Sequence, residues 1–415
     1  MTVEAASLVS GRIVPAQWHT DARGVDYNGS SYCFIRPVDF AAPGARELAS
    51  PCNVVSYVVN PASPVVVPSD FFGIHGFFVS TGGTTFPAGF PARWLRAHDA
   101  NIAWADLQPL SKATAIDWTN MDRWVAAAEA MGAAPIYTVM TTPTWASSNP
   151  SQISGYNLGG AAPPTNLADL TDFVAQVATR YGSRILHWEV RNETNILATA
   201  ERGFFWSGTN QQLADECKAL NQTIKAIIPA AKILGPSTVG WGTLGGANDP
   251  TVYTPAMLTQ AVSGGGSVLK DWIDIMSCHL YYLQAAPSLI PLMVTRVRAA
   301  MATAGIAAMP LFDTESGILD VQFTTGYPDD RYLKNMLRHT VLVASQGLIG
   351  SAWYAYDGQA DKFGFMQRGA SVGAQYQALV RDLSGATINS LVQVNDGTLV
   401  GSYTTAGGVS KALLL

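Results

Sequence analysis

From Phe71 onward the chain alternates short apolar runs with longer stretches in which apolar residues recur at helical spacing. The runs are FFGIHGFF (71–78), NIAW (101–104), APIYTVM (134–140), ILHWEV (185–190), AKILGPS (231–237), WIDIMSCHL (272–280), MPLFD (309–313) and LIGSAWYAY (348–356). Each is almost continuously apolar, as expected of a parallel strand covered on both faces. Between them, Met121, Trp124, Val125, Ala128 and Met131 obey the i, i+3, i+4, i+7 rule up to Gly132. Leu170, Phe173, Val174, Val177 and Tyr181 do so up to Gly182, and Leu213, Cys217, Leu220, Ile224 and Ile227 up to Pro229. Eight strand–helix units over roughly 310 residues predict an α/β fold, the (β/α)8 TIM barrel. A doubly wound open sheet competes, but the chain has no Gly-rich phosphate turn and puts polar groups on several strand ends.

The flanks read differently. Residues 1–68 are rich in Gly, Pro, Ser and Ala, with β-type pieces at Ser31–Arg36 and Asn53–Asn60, and Pro61–Ser69 reads as a linker. After Asp382 come GATINSLVQV (385–394), TLVGSYTT (398–405) and SKALLL (410–415), short strands separated by Asn395-Asp396-Gly397 and Gly407-Gly408. The expected organisation is an N-terminal extension (1–68), a barrel (69–384) and C-terminal strands (385–415), both ends contributing to a small accessory β-domain.

Composition narrows the function. Of 415 residues 48% are apolar and 13% charged, with a net charge of −5. Nucleic acid is therefore not an expected partner, since phosphate binding needs clustered Lys and Arg. No segment is long and apolar enough to span a membrane. Cys33, Cys52, Cys217 and Cys278 form no C-x-x-C pair and show no metal-ligand spacing with the six histidines, so no metal or other cofactor is expected. Cys217 and Cys278 fall on apolar faces as buried thiols; Cys33 and Cys52 are left open as a pair, conditional on export. The N-terminus shows no secretory signal, and the expected setting is nonetheless extracellular or periplasmic.

The chemistry concentrates at strand ends, where a barrel of this type places its active face. Asn192 and Glu193 follow the fourth run, His279 and Tyr281 the sixth, and Glu315 the seventh. Two carboxyl groups on separate strand ends suit glycosidic bond cleavage, one protonating the departing oxygen and the other attacking the anomeric carbon.

WEVRNETN (188–195) resembles the W-E-V-W-N-E-P-N segment of clan A glycoside hydrolases, and DTESG (313–317) their T-E-x-G segment. With LRAHDANIAWADLQP (95–109), IYTVMTTPTWAS (136–147), FFWSGT (204–209), SCHLYY (277–282) and WYAYDG (353–358), the chain is most similar to family 39 over about residues 70–385. The resemblance implies Glu193 as acid/base, Glu315 as nucleophile of a retaining mechanism, and Asn192 on the substrate 2-hydroxyl. It places Arg96 under the nucleophile, with Tyr281 beside it and His279 alongside. Trp145 and Trp353 are the expected sugar platforms, and His75 either a structural or a substrate-binding group. Trp104, Trp206 and Trp241 read as core. Arg191 and Thr194 depart from the pattern: Arg191 either points away from the site or meets an acidic substituent on the glycan. Glu189 reads as structural, ion-paired on the same strand face as Arg191.

The functional expectation is a retaining glycoside hydrolase, endo-acting on a microbial exopolysaccharide. The alternatives are an exo-acting, β-xylosidase-like enzyme and a non-catalytic carbohydrate-binding module on a decayed barrel.

Overall fold

A computed structural model describes residues 64–196, 203–242, 249–283, 287–319, 329–358, 370–393 and 398–415, with short strands at Gln17–His19, Phe34–Arg36 and Tyr57–Val58. Cys33 and Cys52 lie outside the described residues, as do parts of the loops after the fourth, fifth and eighth barrel strands.

The eight barrel strands are β1 (Phe72–His75), β2 (Trp94–Arg96), β3 (Ala134–Val139), β4 (His187–Val190), β5 (Lys232–Leu234), β6 (Met276–His279), β7 (Leu311–Ser316) and β8 (Gly350–Trp353). All neighbours are parallel, in the order β6-β7-β8-β1-β2-β3-β4-β5. The Leu234–Ile275 bridge closes the ring, with the Gly235 N–H donating to the Ile275 carbonyl at 2.9 Å.

One expected strand is displaced. NIAW (101–104) is not β2, which lies earlier and ends on Arg96. Asp99 and Asn101 both sit at φ 55°, which breaks an extended run. Trp104 then opens a short helix, α1 (Trp104–Leu107), started by Asp106 accepting from the Ala103 N–H at 2.9 Å. The longer helices α2 (Thr119–Met131), α3 (Leu167–Tyr181) and α4 (Asn210–Ile227) follow the sequence pattern closely. The apolar positions read for α2 and α3 are all buried, and Gly132 ends α2 at φ 69°. Thr209 and Gln212 form a reciprocal capping box on α4. The outer layer is completed by α5 (Pro250–Leu258), α6 (Ile290–Thr303), α7 (Asp329–Ala344) and α8 (Ala370–Leu383). No helix separates β1 from β2; residues 76–93 cross over as loop.

Inside the barrel Trp94, Ile136, Leu234, Ile275 and Phe312 form an apolar floor. Gly73 makes room for it, because a Cβ there would come 2.8 Å from that of Trp94. The antiparallel accessory sheet consists of β9 (Thr387–Gln393), β10 (Leu399–Thr404) and β11 (Ser410–Leu414). Val65–Val66 and Tyr57–Val58 also pair with β9, so both chain ends build the sheet. Tyr403 and Lys411 tie it to Asp382 on α8.

Candidate active site

Above the floor the barrel interior turns polar. Arg96 is fully buried on β2, and its guanidinium reaches three partners. Nε donates to Glu189 Oε2 at 2.6 Å, Nη1 to Glu315 Oε2 at 2.6 Å and Nη2 to Asn192 Oδ1 at 2.7 Å. Tyr281 donates its hydroxyl to the other Glu315 oxygen at 2.9 Å. His279 Nδ1 lies 2.9 Å from Glu193 Oε1.

A bulge aims Glu315. Strands β6 and β7 pair Met276 with Leu311, Ser277 with Phe312 and Cys278 with Asp313, but His279 faces Glu315, leaving Thr314 as an extra residue. Phe312 and Thr314 face the interior, so strict alternation would turn Glu315 outward with Asp313. The extra residue turns it back over the barrel mouth.

Backbone conformation aims Glu193. The strand ends at Val190, and Arg191 and Glu193 adopt φ 57° and 47°. A left-handed backbone is unfavourable for residues with a Cβ and persists where surrounding contacts fix it. Here Ser237 Oγ accepts from the Glu193 N–H at 3.1 Å, and Asn195 makes two bonds with the backbone of Val239. A carboxylate oxygen of Glu193, a ring nitrogen of His279 and a carboxylate oxygen of Glu315 consequently lie within 4.8 Å of one another.

Three such donors also resemble a metal site. The donor set argues otherwise: both Glu315 oxygens already accept hydrogen bonds, one from a guanidinium that would repel a dication. An acid pair fits better.

The surroundings fix charge states. Burial pulls Arg96 down, but the charges of Glu189 and Glu315 outweigh it and hold the guanidinium above its ordinary range. Burial, reinforced by Arg96, His98 and His75, pushes His279 well below the usual imidazole range, so it sits neutral beside Glu193. Burial and the Glu315 charge push the Tyr281 phenol up, keeping it a donor.

The structure brings together six of the nine expected site residues: Glu193, Glu315, Asn192, Arg96, His279 and Tyr281. The other three expected residues make different contacts. Trp353 points outward, edge-on to His339 at 5.1 Å between β8 and the helices, because Ala352 occupies the inward position next to Gly73. Trp145, half-buried, packs edge-on against Trp104 and donates to the Gln108 carbonyl. His75 is fully buried; its ring donates to the Thr314 carbonyl and lies edge-on to Tyr354 at 5.1 Å, a supporting role. The Glu189 partner also differs. Arg191 turns out of the barrel to pair with Glu216 of α4 at 2.7 and 2.8 Å and stacks on Trp206 at 4.8 Å, leaving Glu189 to Arg96.

Sequence reading missed four groups. Tyr354 takes the inward place assigned to Trp353, its hydroxyl donating to Asp99 at 2.6 Å. His98 Nε2 lies 3.9 Å from Glu315 and 3.3 Å from Asp99. Tyr156, 3.4 Å from the Asn192 amide, packs on Phe205 at 4.9 Å. The signal for His98 was present, two residues after Arg96 at strand spacing; Tyr156 and Phe205 sit on loops whose approach no local pattern encodes.

No protein-family model matches the chain, and no curated protein matches it. Solved structures do. A glucosidase from Croceicoccus marinus aligns with a TM-score of 0.62 at 15% identity, covering 86% of this chain and 77% of that one. A family 39 glycoside hydrolase from Bacteroides cellulosilyticus WH2 aligns at 0.58 and 16%, covering 83% and 69%. A monomeric β-xylosidase from Caulobacter crescentus CB15 aligns at 0.54 and 18%, covering 83% and 75%. The chain thus shares their fold, the (β/α)8 barrel.

Proposed function

We propose that this protein is a retaining glycoside hydrolase in which Glu315 is the nucleophile and Glu193 the acid/base. The observation that carries the reading is the approach of the Glu193 and Glu315 carboxylate oxygens to within 4.8 Å at the mouth of the barrel. Double displacement works with carboxyl groups about 5–5.5 Å apart, whereas inversion needs room for a water and about 6.5–9.5 Å. The partners suit the division of labour. Among the described residues Glu315 accepts from a charged and a phenolic donor, which favour the anion that attacks the anomeric carbon. Glu193 faces a neutral imidazole and the negative Glu315, which favours holding a proton for the departing oxygen. In the second half-reaction Glu193 would take a proton from water attacking the glycosyl ester.

Charge balance speaks to the substrate. Glu189 and Glu315 share one guanidinium, Glu193 and the exposed Asp99 add carboxyl groups beside His279 and His98, and Arg191 is committed to Glu216. A neutral glycan fits this cleft better than a uronic acid. The loop after β3 (141–166) joins Phe204 through the Gly155 N–H to form one wall, and Tyr156 and Phe205 line it. A long wall suits an extended chain, so the reading extends to internal cleavage of a microbial exopolysaccharide.

Incubation with a panel of neutral and acidic polysaccharides, with products resolved by size and the first-formed anomer followed by NMR, tests it. Oligosaccharides of retained configuration are expected; inverted product would remove Glu315 as nucleophile, and monosaccharide alone would remove the endo reading.

A further inference from the structure

Glu189 is fully buried inside the barrel, one layer below the reacting pair. Oε2 accepts from Arg96 Nε and from Thr138 Oγ1 at 3.0 Å; Oε1 accepts from Ser277 Oγ at 2.5 Å and Thr314 Oγ1 at 2.7 Å. Among the described residues its partners are one guanidinium and three hydroxyls, all able to donate to a carboxylate, with Ser277 and Thr314 themselves 2.6 Å apart. Arg96 therefore divides one positive charge between two carboxylates, with Nη2 2.5 Å from Glu189 Oε2 and Nη1 2.6 Å from Glu315 Oε2.

On the reading of Glu193 and Glu315 as the reacting pair, we propose that Glu189 is a positioning residue that sets the strength of the nucleophile by competing with Glu315 for Arg96. A guanidinium paired with Glu315 alone would quench its charge and make it a poorer attacking group. The second carboxylate draws part of that charge away, while its grip on Nε fixes the plane in which Nη1 points up to Glu315 and Nη2 to Asn192. The hydroxyls of Thr138, Ser277 and Thr314 set how strongly Glu189 competes.

The test is the pH profile of kcat/KM in Glu189→Gln, with 4-nitrophenyl glycosides of xylose, glucose, xylobiose and cellobiose and the panel polysaccharides as probes. Gln fits the site, since its oxygen can accept from Arg96 and its amide can donate to Ser277 and Thr314 after hydroxyl rotation. Released from competition, Arg96 stabilises anionic Glu315 more strongly, so the acidic limb of the profile moves to lower pH. kcat falls on the order of 10-fold, with KM within about twofold. Glu315 also faces His98, Glu193, His279, Tyr281 and Tyr354, and Asp313 lies on its own strand; all are retained in the variant.

Glu189→Asp keeps the charge and should leave the limb near wild type. Thr138→Val removes a donor that satisfies Glu189, strengthens its claim on Arg96 and should move the limb up, which keeps the proposal testable if Glu189→Gln does not fold. An unmoved limb in both Glu189→Gln and Thr138→Val, or a shift as large in Glu189→Asp as in Glu189→Gln, overturns it. Wild-type protein inert on every probe instead defeats the glycosidase reading and takes this proposal with it.

Discussion

At the scale of single residues, the site depends on which atoms receive the Arg96 and Tyr281 hydrogen bonds. Glu315→Gln preserves shape, with Arg96 still served by Glu189, but removes the carboxylate proposed to attack the anomeric carbon. Turnover should fall ~1,000-fold or more while Tm moves by no more than a few degrees, read by steady-state kinetics and a thermal melt. A stable and active variant would end the nucleophile assignment. Tyr281→Phe deletes a donor to the charged form of Glu315 at 2.9 Å, which raises the pH needed to ionise it. The acidic limb of kcat/KM should move upward and kcat should drop on the order of 10-fold or more, the opposite limb movement from Glu189→Gln. The catalytic candidates were legible as residue types in sequence: Asn192-Glu193 and Glu315 stand where apolar runs give way to polar ones. The aromatic that faces the barrel interior was not, because one residue of register exchanges Trp353 for Tyr354, and the sequence WYAY offers an aromatic for either face.

At the scale of elements, the loop after β4 is fixed by what surrounds it. Two of its residues have positive φ, and Arg191 is held outside the barrel by Glu216, with both side chains almost completely buried. Removing one partner of such a pair leaves an uncompensated charge in a dry setting. Glu216→Ala should therefore destabilise the protein by about 3–5 kcal/mol in denaturant unfolding, whereas the double replacement Arg191→Met with Glu216→Leu should lose much less. Equal losses in single and double variants would show that Arg191 is not charged against Glu216. A sequence signal for this pair existed: Glu216 lies on the buried face of α4 beside Leu213, Cys217 and Leu220, where an acid needs a partner. The bulge that aims Glu315 had no comparable signal, since pairing between β6 and β7 is a contact of residues far apart in the chain.

For the molecule as a whole, burial of histidines sets the response to acid. His187 is pushed down to about 4 by burial and by Lys232, and His339 to about 3 by burial. His75 and His279 are lowered as well, burial leading in each case. An unfolded histidine titrates near 6.5, so these groups contribute stability that is present above that pH and lost as pH falls toward their folded values. Asp313 acts the other way. Burial raises it to about 7, so its contribution is full below the ordinary carboxylate range near 3.9 and is lost as pH rises through 7. The four histidines outnumber it, and Tm should decline from pH 7.5 to pH 5. His187→Gln should flatten that decline and Asp313→Asn should steepen it, measured by melts across the range. A Tm independent of pH would contradict the neutral burial of these rings.

Local pattern along the chain carries the alternating strand–helix order of the barrel, the accessory strands at both chain ends and the residue types of the candidate acid pair. These follow from period, turn chemistry and residue type, all carried by neighbours along the chain. Packing between distant segments makes Arg96 serve Glu189 as well as Glu315, turns Arg191 out of the cleft, and brings in Tyr354 rather than Trp353. Each of these depends on which face of a strand meets which neighbour, and a single bulge or left-handed residue reverses a face without changing the pattern that predicts the strand.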